Sequence, residues 1–159
     1  MIKFLISKML MLKQRICNYY YRKIFGKCGK NLLIYGKPRI IYGKNITIGN
    51  NVNINDGVML NATCSNIEIG SNVTISTDAK ILAASYDKER FIMTGERKHI
   101  GGGITIGNNV WICANVIVLP NVKIVGENLI IGAGSVVTKS IYDSNAIYVG
   151  NPARKLLNS

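Results

Sequence analysis

Most of the chain repeats an aliphatic residue at every sixth position. Three runs keep this spacing without a break: Ile48, Ile54 and Leu60; Ile69, Ile75 and Ile81; and Ile106, Ile112, Val118 and Ile124. A second aliphatic residue usually stands two positions earlier, as Ile46 does before Ile48. Because side chains alternate between the two faces of a strand, each six-residue unit predicts a short strand with two inward side chains. Such a strand cannot bury its face alone, so the units must stack as a parallel β-helix.

Three six-residue units make one turn of the solenoid. Residues 34–81 and 104–141 therefore supply about five turns, each rising by roughly 4.8 Å, the spacing between neighbouring strands. The prediction is an all-β parallel β-helix over residues 31–149, about 25 Å long. Residues 1–30 would form an N-terminal basic amphipathic α-helix and a linker, and residues 150–159 a C-terminal tail.

The first 25 residues follow a helical pattern instead. Leu5, Met9, Leu12, Ile16 and Tyr20 recur at three- and four-residue intervals, which predicts one apolar stripe on a helix over residues 2–25. Residues 1–55 contain eleven Lys or Arg and no acidic residue, and no apolar run here is long enough to span a membrane. The stripe either packs on the rest of the protein or a neighbouring subunit, or it rests on an anionic membrane surface.

Charge and cysteine content narrow the choice of partners and compartment. The net charge of +12 can attract phosphates of nucleic acid, lipid head groups, a cofactor or a nucleotide-linked substrate. No RNP aromatic pair or Cys/His finger is present, so we expect no nucleic-acid partner. The four cysteines form no CxxC pair and accompany a single histidine, which predicts neither disulfides nor a metal site and favours the reducing cytoplasm.

The longest break in the repeat lies between Ile81 and Ile106. Insertions project from a solenoid as loops that can carry a site. Residues 82–103 contain the only histidine, His99, and end in the glycines 101–103, which we expect to be flexible. This segment is therefore the predicted site.

Residues 104–154 contain the segments WICANV, GAGSVVTK and GNPAR in that order. In these motifs the sequence resembles the hexapeptide-repeat acyltransferases, especially the maltose, galactoside and capsular-polysaccharide O-acetyltransferase branch. The resemblance implies a left-handed parallel β-helix, a homotrimer with active sites between neighbouring subunits, and acetyl-CoA as the acyl donor without a metal. Handedness comes from the resemblance alone, because right-handed crossovers are the general expectation.

The resemblance also implies where the donor binds. Its pantetheine arm would run along a groove, and its phosphates would lie at the far end. The residues concerned are Trp111, Ala114, Asn115, Gly132, Ala133 and Ser135 along the groove, and Thr138, Lys139 and Arg154 at the phosphates. Lys139 and Arg154 are suitable cations, and small residues let a ligand approach the main chain. Alternatively, Gly132 and Gly134 are ordinary corners of the solenoid.

Acyl transfer to a hydroxyl needs a general base, and histidine is the usual one. Maltose and galactoside relatives carry that histidine early in the long loop, where this chain has Tyr86 followed by Asp87. A tyrosine with an ordinary pKa near 10 is a poor base at neutral pH. His99 is therefore the candidate catalytic base, oriented by Asp87, Glu89 or Glu96. It would otherwise contact substrate or cofactor, or be a solvated loop residue.

The remaining candidates concern the acceptor. Asn61, Ser85, Tyr86 and Asp87 are the predicted substrate-binding residues. The predicted function is acetyl-CoA-dependent O-acetylation of a sugar hydroxyl in capsule, O-antigen or other surface-polysaccharide biosynthesis, on a free, nucleotide-linked or lipid-linked sugar. An amino-sugar N-acetyltransferase, or a catalytically impaired homologue that binds CoA or sugar, would explain the same residues.

Overall fold

The computed structural model describes residues 2–156, except for the side chains of residues 2, 3, 5 and 7. The Leu5 side chain of the predicted stripe and residues 157–159 of the predicted tail lie outside the described residues. Helix α1 (Ile2–Ile24) precedes a series of strands that are two to four residues long.

Three sheets form the body of the protein. The first contains β1 (Lys27–Cys28), β4 (Ile46–Ile48), β7 (Ile67–Ile69), β12 (Ile104–Ile106) and β15 (Lys123–Ile124). The second contains β2 (Leu33–Ile34), β5 (Asn53–Ile54), β8 (Thr74–Ile75), β13 (Val110–Ile112), β16 (Leu129–Ile131), β18 (Ala146–Val149) and β19 (Arg154–Lys155). The third contains β3 (Arg39–Ile41), β6 (Met59–Asn61), β9 (Lys80–Leu82), β14 (Ile117–Val118) and β17 (Val136–Val137). The inserted segment adds β10 (Ala84–Tyr86), α2 (Lys88–Thr94) and β11 (His99–Gly101).

The chain visits the three sheets in rotation and pairs in parallel with its own previous turn. Ile46 lies in register with Ile67, and Ile67 with Ile104. The twenty-two residues of the insertion are looped out without disturbing this register, because β7 pairs directly with β12. The predicted parallel β-helix is confirmed.

The aliphatic residues of the repeat fill the interior. Ile54, Leu60, Ile75, Ile81 and Ile112 are each 0% exposed. Burying such a side chain stabilises the fold by about 1.5–3 kcal/mol. The regular spacing of the sequence is therefore the spacing of one continuous core.

Asparagines form one corner of the solenoid. Asn51, Asn72 and Asn109 have φ between 53° and 57°, a left-handed conformation that asparagine tolerates better than most residues. Their side chains hydrogen-bond from turn to turn, Asn51 Nδ2 to Asn72 Oδ1 at 2.9 Å and Asn72 Nδ2 to Asn109 Oδ1 at 3.0 Å. The ladder holds successive turns in register.

The sheets extend beyond residues 31–149 at both ends. Strand β1 lies within the segment that was expected to be helix and linker. Strand β19 lies in the expected tail, where it pairs antiparallel with β18. Both ends of the solenoid therefore carry short strands that the six-residue pattern does not mark.

Helix α1 covers the free edge of the second sheet through polar side chains. Asn18 Oδ1 accepts a hydrogen bond from the Ile34 amide at 2.9 Å, and Gln14 Nε2 donates to the Ile34 carbonyl. Tyr21 donates its hydroxyl to the Pro38 carbonyl at 3.2 Å. An uncovered sheet edge invites pairing with another chain, so α1 acts as a cap on the solenoid.

The predicted apolar stripe lies on the other side of α1. Met9, Leu12, Ile16 and Tyr20 are 58–67% exposed. The interpretation that this stripe packs on the rest of the same chain is therefore wrong, because the helix docks through Gln14 and Asn18 on its opposite side. A neighbouring subunit and a membrane surface remain as its possible partners. Among the described residues, none of the helices is long and apolar enough to cross a membrane.

Candidate active site

The insertion forms a compact projection, which we call the arm (residues 83–102). Strands β10 and β11 pair antiparallel, with Tyr86 opposite His99. Helix α2 fills the tip between them, and Asp87 caps its N-terminus by accepting a hydrogen bond from the Arg90 amide at 3.0 Å. Gly95 ends the helix with φ of 72°, a conformation for which glycine is the usual choice. The predicted loop is thus a hairpin with a helical tip.

The root of the arm is tightly packed against two other segments. A Cβ added to Gly101 would lie 2.2 Å from the Cys64 carbonyl oxygen, and one added to Gly102 would lie 2.4 Å from Pro120 Cβ. The Ala83 amide donates to the Asn61 carbonyl at 2.8 Å, and the Gly102 amide donates to the Ala83 carbonyl at 2.9 Å. Gly101 and Gly102 therefore allow close contact at the root of the arm.

Tyr86 and His99 form the centre of the arm. Their ring centroids are 4.4 Å apart, with the planes tilted by 33°, and both residues are exposed. Asp87 caps α2, and Glu96 forms an ion pair with Arg90, whose guanidinium lies 2.5 Å from the carboxylate. These two carboxylates are therefore engaged within the arm. The His99 ring contacts Tyr86, and orientation of that ring by Asp87, Glu89 or Glu96 stays a prediction.

The other predicted acceptor residues lie around this pair. Ser85 is half-buried in β10, opposite Ile100. Asn61 ends β6, directly below the root, and its Oδ1 accepts hydrogen bonds from the Thr63 amide at 3.1 Å and the Thr63 hydroxyl at 2.6 Å. The structure thus brings together the acceptor candidates and His99, with Asn61 supporting the turn beside the root.

A cavity of about 330 Å³ opens on the arm. Its walls are Tyr86, Phe91, Ile92, Lys88 and Arg97. Two aromatic rings beside two cations suit a ligand that combines a ring with a negative charge. Of these residues, the sequence analysis predicted only Tyr86 as a substrate contact. Lys88 and Arg97 were missed because they become neighbours only when the arm folds back on itself.

The predicted donor residues line one corner of the last turns. Trp111 is half-exposed, and its indole Nε1 donates to Ser76 Oγ at 3.0 Å. Ala114 and Asn115 form the corner above Ser76, and the Gly134 amide donates to the Ala114 carbonyl at 2.9 Å. Residues 132–134 are therefore stacked on residues 113–115, as a continuous groove requires. Ser76 was missed by the sequence reasoning.

Within this corner, Gly134 differs from its neighbours. It has φ of 70°, and a Cβ added there would meet nothing within 4 Å, which leaves open surface beside Ala133. Gly132 instead faces Val149, whose Cγ1 would lie 2.7 Å from an added Cβ. Gly134 is thus both a solenoid corner and a place where a ligand can reach the main chain.

Two residues of this corner are directed inward. Ser135 is buried, and its hydroxyl accepts a hydrogen bond from the Gly150 amide at 3.0 Å. Cys113 packs against the core, and burial raises the pKa of its thiol, which keeps it protonated at neutral pH. Ser135 therefore supports the corner from inside, whereas Cys113 is only partly buried.

The candidates for phosphate contact lie nearby but on separate elements. Thr138 and Lys139 follow β17, and Arg154 lies in β19 opposite Val149. Lys139 and Arg154 are exposed. Strand β19 is held by Asp143, whose Oδ2 accepts from the Tyr148 hydroxyl at 2.8 Å and lies 3.1 Å from Lys155 Nζ.

Within one chain, the arm is separated from the corner that carries the predicted donor residues. We call that corner, residues 113–115 and 132–135, the donor corner. The strands of the third sheet are parallel, so residues 114–115 and 133–135 lie where its strands begin. The arm leaves from the other edge, where β9 ends. The width of this sheet is about 10 Å at 3.3 Å per residue. Within the part of the chain that the structure describes, no group of three or more His, Cys, Asp or Glu residues could hold a metal ion.

Comparison with known proteins identifies the family. A family model for the bacterial transferase hexapeptide (six repeats) matches residues 103–139. A maltose O-acetyltransferase from Clostridium difficile is 35% identical, with 86% of this chain and 71% of that chain covered and a TM-score of 0.78. The chain belongs to the hexapeptide-repeat acyltransferases. The repeats of this family indicate a left-handed β-helix, as the sequence motifs implied.

Two further structures show the range of chemistry among similar acyltransferases. A hexapeptide-repeat acetyltransferase from Vibrio cholerae, solved with acetyl-CoA, is 29% identical over 86% of this chain and 73% of its own, with a TM-score of 0.77. The N-acyltransferase AntD from Bacillus cereus, solved with dTDP-4-amino-4,6-dideoxyglucose and CoA, is 30% identical over 84% and 83%, with a TM-score of 0.61. Acceptors with a hydroxyl and with an amine thus both occur among the relatives of this acyltransferase.

Proposed function

We propose that this acyltransferase is an acetyl-CoA-dependent O-acetyltransferase that acts on a sugar hydroxyl. The observation that carries the proposal is the ring contact between Tyr86 and His99 on the arm. It places an exposed imidazole beside an aromatic cavity that can hold a sugar ring.

The donor corner fits acetyl-CoA. The open surface at Gly134 and the half-exposed ring of Trp111 leave room for an extended chain. The exposed cations of Lys139 and Arg154 are available for its phosphates. When bound, acetyl-CoA supplies the acetyl group as a thioester. The Clostridium and Vibrio relatives, both acetyltransferases, support this choice of acyl group.

His99 acts in this proposal as the general base. Its imidazole would accept the proton of the acceptor hydroxyl while the hydroxyl oxygen attacks the acyl carbonyl. The carbon–sulfur bond of the thioester would then break, and CoA would leave as a thiol after taking that proton back from the imidazolium. The contact with Tyr86 limits rotation of the His99 ring. A positioned base contributes about 10²- to 10⁴-fold in rate.

In this proposal the protein is a homotrimer, and the active site is complete only between two subunits. Ile92 and Met93, at the tip of the arm, are 82% and 83% exposed, and the donor corner of the same chain lies across the third sheet. A neighbouring copy would cover these side chains and bring its donor corner to the arm, so that each site lies between two subunits.

The acceptor cavity favours a charged form of the sugar. Tyr86 and Phe91 can stack on a sugar ring, while Lys88 and Arg97 can bind phosphate. A nucleotide-linked or lipid-linked precursor of capsule, O-antigen or another surface polysaccharide has both parts. The reaction would take place in the cytoplasm, at the inner face of the membrane where such precursors are used.

The test is acetyl transfer by the purified protein, measured as CoA release against a panel of free, nucleotide-linked and lipid-linked sugars. His99→Ala should lower kcat by about 10²- to 10⁴-fold. Lys98→Ala, on the neighbouring exposed residue, serves as the matched control and should leave kcat unchanged. Turnover that is unchanged in His99→Ala would remove His99 as the base. Binding of CoA without transfer to any sugar would show a catalytically impaired homologue.

Amino-sugar N-acetylation is the second candidate, because the Bacillus relative is an N-acyltransferase solved with an amino sugar. The same base and donor corner would serve an amine. Treatment of the product with hydroxylamine separates the two, since an acetyl ester is cleaved and an acetamide is not.

A further inference from the structure

Helix α1 presents an apolar surface that nothing in the described chain covers. We call Met9, Leu12, Ile16 and Tyr20 the stripe, and each is at least 58% exposed. Leu10 and Met11, in the same part of the helix, are 56% and 58% exposed. Among the described residues, the contacts of the helix with the solenoid lie in its last three turns. They include the hydrogen bonds of Gln14, Asn18 and Tyr21, the packing of Cys17 against the core, and the bond from Lys44 to the Lys23 carbonyl. The described apolar side chains of residues 9–12 therefore lie in solvent.

Cations border the stripe on both sides. At 100° per residue, Lys8, Arg15 and Arg22 lie along one border and Lys13 along the other. Helix α1 contains no acidic residue, and the first carboxylate of the sequence is Asp56. An apolar band bordered by Lys and Arg is the arrangement of helices that lie in the interface of an anionic bilayer.

A basic groove lies beside the stripe, between α1 and the first turn of the solenoid. Its volume is about 610 Å³, and its walls include Arg15, Arg22 and Lys23, with Tyr19 and Asn18 between them. Lys23 Nζ lies 5.5 Å from the centroid of the Tyr19 ring. Three cations around one groove suit a phosphate head group.

We propose that α1 docks the protein on an anionic lipid bilayer. The stripe lies at the boundary between head groups and acyl chains, and the cations of α1 and its groove contact lipid phosphates. A second copy of the chain fits this surface less well, because it would bring its own uniformly basic N-terminal region against the first. Docking goes beyond the proposed function, since the stripe and the groove share no residue with the arm or the donor corner.

The full-length protein can be tested by co-sedimentation with vesicles. Vesicles that mix phosphatidylglycerol with phosphatidylcholine should bind it, and pure phosphatidylcholine vesicles should not. Leu12→Gln combined with Ile16→Gln should abolish binding, because two apolar anchors are lost from the stripe. These positions lie opposite Gln14 and Asn18, so α1 should keep its contacts with the solenoid. Tyr142→Gln, at an equally exposed position outside α1, is the matched control and should bind like the wild type.

Charge variants test the role of the cations. Arg15→Gln and Lys23→Gln should each weaken binding about fivefold, because each basic residue near an anionic surface contributes roughly that factor. Lys37→Gln, an exposed cation in a turn of the solenoid, should have a smaller effect.

Two results would overturn the proposal. One is equal binding to neutral and anionic vesicles. The other is an absence of binding to anionic vesicles by the wild-type protein. In that case, a change in oligomeric state in the stripe variant would assign the stripe to a second copy. Acetyl transfer to a water-soluble sugar, measured on the same stripe variant, separates the two claims. Loss of vesicle binding with full transfer supports docking, and absence of transfer in the wild type argues against the proposed function alone.

Discussion

The solenoid and the arm are built from equally short strands, yet they differ in how far they bury their aliphatic side chains. Every turn of the solenoid hides its aliphatic side chains under the next turn, so that Ile54 is fully buried. The arm leaves Ile92 at 82% exposed and Met93 at 83%, because no turn of its own chain stacks on it. The contrast teaches that the repeat buries its own apolar surface, whereas the interruption leaves apolar side chains exposed within one chain.

The largest expected effect on stability is the difference between a substitution in the solenoid and the same substitution in the arm. Ile54→Ala should lower the free energy of unfolding by about 2–5 kcal/mol, because it leaves a cavity in a packed core. Ile92→Ala, which removes the same atoms from the arm, should cost clearly less, because Ile92 is 82% exposed within its own chain and can lose only contacts with a neighbouring copy. Urea denaturation at one protein concentration measures both. A loss in Ile92→Ala equal to that in Ile54→Ala would show that the arm is part of the core of the assembly.

The root of the arm gives the next largest effect. Gly101→Ala should destabilise the protein by about 1–3 kcal/mol and displace the arm, because its Cβ would clash with the Cys64 carbonyl. Gly103→Ala is the control, since the nearest atom to its added Cβ is Ser65 Oγ at 3.5 Å. Thermal unfolding and the rate of acetyl transfer measure the two consequences. Equal behaviour of the two variants would mean that the close approach of Gly101 to Cys64 does not position the arm.

A smaller effect is expected at the asparagine corner. Asn72→Ala should cost about 1 kcal/mol, because it removes hydrogen bonds to Asn51 and Asn109. Thr77→Ala, on the exposed opposite corner of the same turn, should be nearly neutral. Thermal unfolding would detect the difference, and indistinguishable midpoints would mean that the ladder adds nothing to register.

The smallest effect concerns pH and the last strand. The hydrogen bond from Tyr148, followed by the contacts with Lys155, lowers the pKa of Asp143 from 3.8. Because the folded pKa is depressed, the contribution of this cluster is present above the unfolded value and is lost as pH falls through the folded one. Carboxyl NMR titration should show a midpoint below 3.8 that moves upward in Tyr148→Phe. Tyr142→Phe should leave it unchanged, and a midpoint that does not move in Tyr148→Phe would exclude the hydrogen bond as the cause.

The repeat could be predicted from the sequence because its cause is local. An aliphatic residue at each sixth position, such as Ile75 or Ile81, is enough to place one strand in one turn. The face by which α1 docks could not be predicted in this way, because Gln14 and Asn18 bind the open edge of β2 while the apolar stripe stays exposed. Amphipathic periodicity shows which side of a helix is apolar. The side that is buried here is the polar one, because it hydrogen-bonds to the open edge of the sheet.

The site could be predicted only where its signal is local in the sequence. The break in period located the arm, and residue type selected His99. The contact of His99 with Tyr86 depends on the register of β10 and β11, and the packing of Gly101 depends on Cys64, 37 positions away along the chain. Distant partners of this kind leave no spacing signal in the sequence.

The central claim is that the arm of one subunit works on the donor corner of another, and subunit mixing tests it most directly. His99→Ala removes the base from the arm, and Ala133→Trp obstructs the donor corner at an exposed position. Each variant alone should be inactive. Trimers refolded from an equal mixture should recover about a quarter of the wild-type activity, because one interface in four would pair an intact arm with an intact corner. No recovery in mixed trimers of confirmed composition would contradict the account and place both parts of the site in one chain.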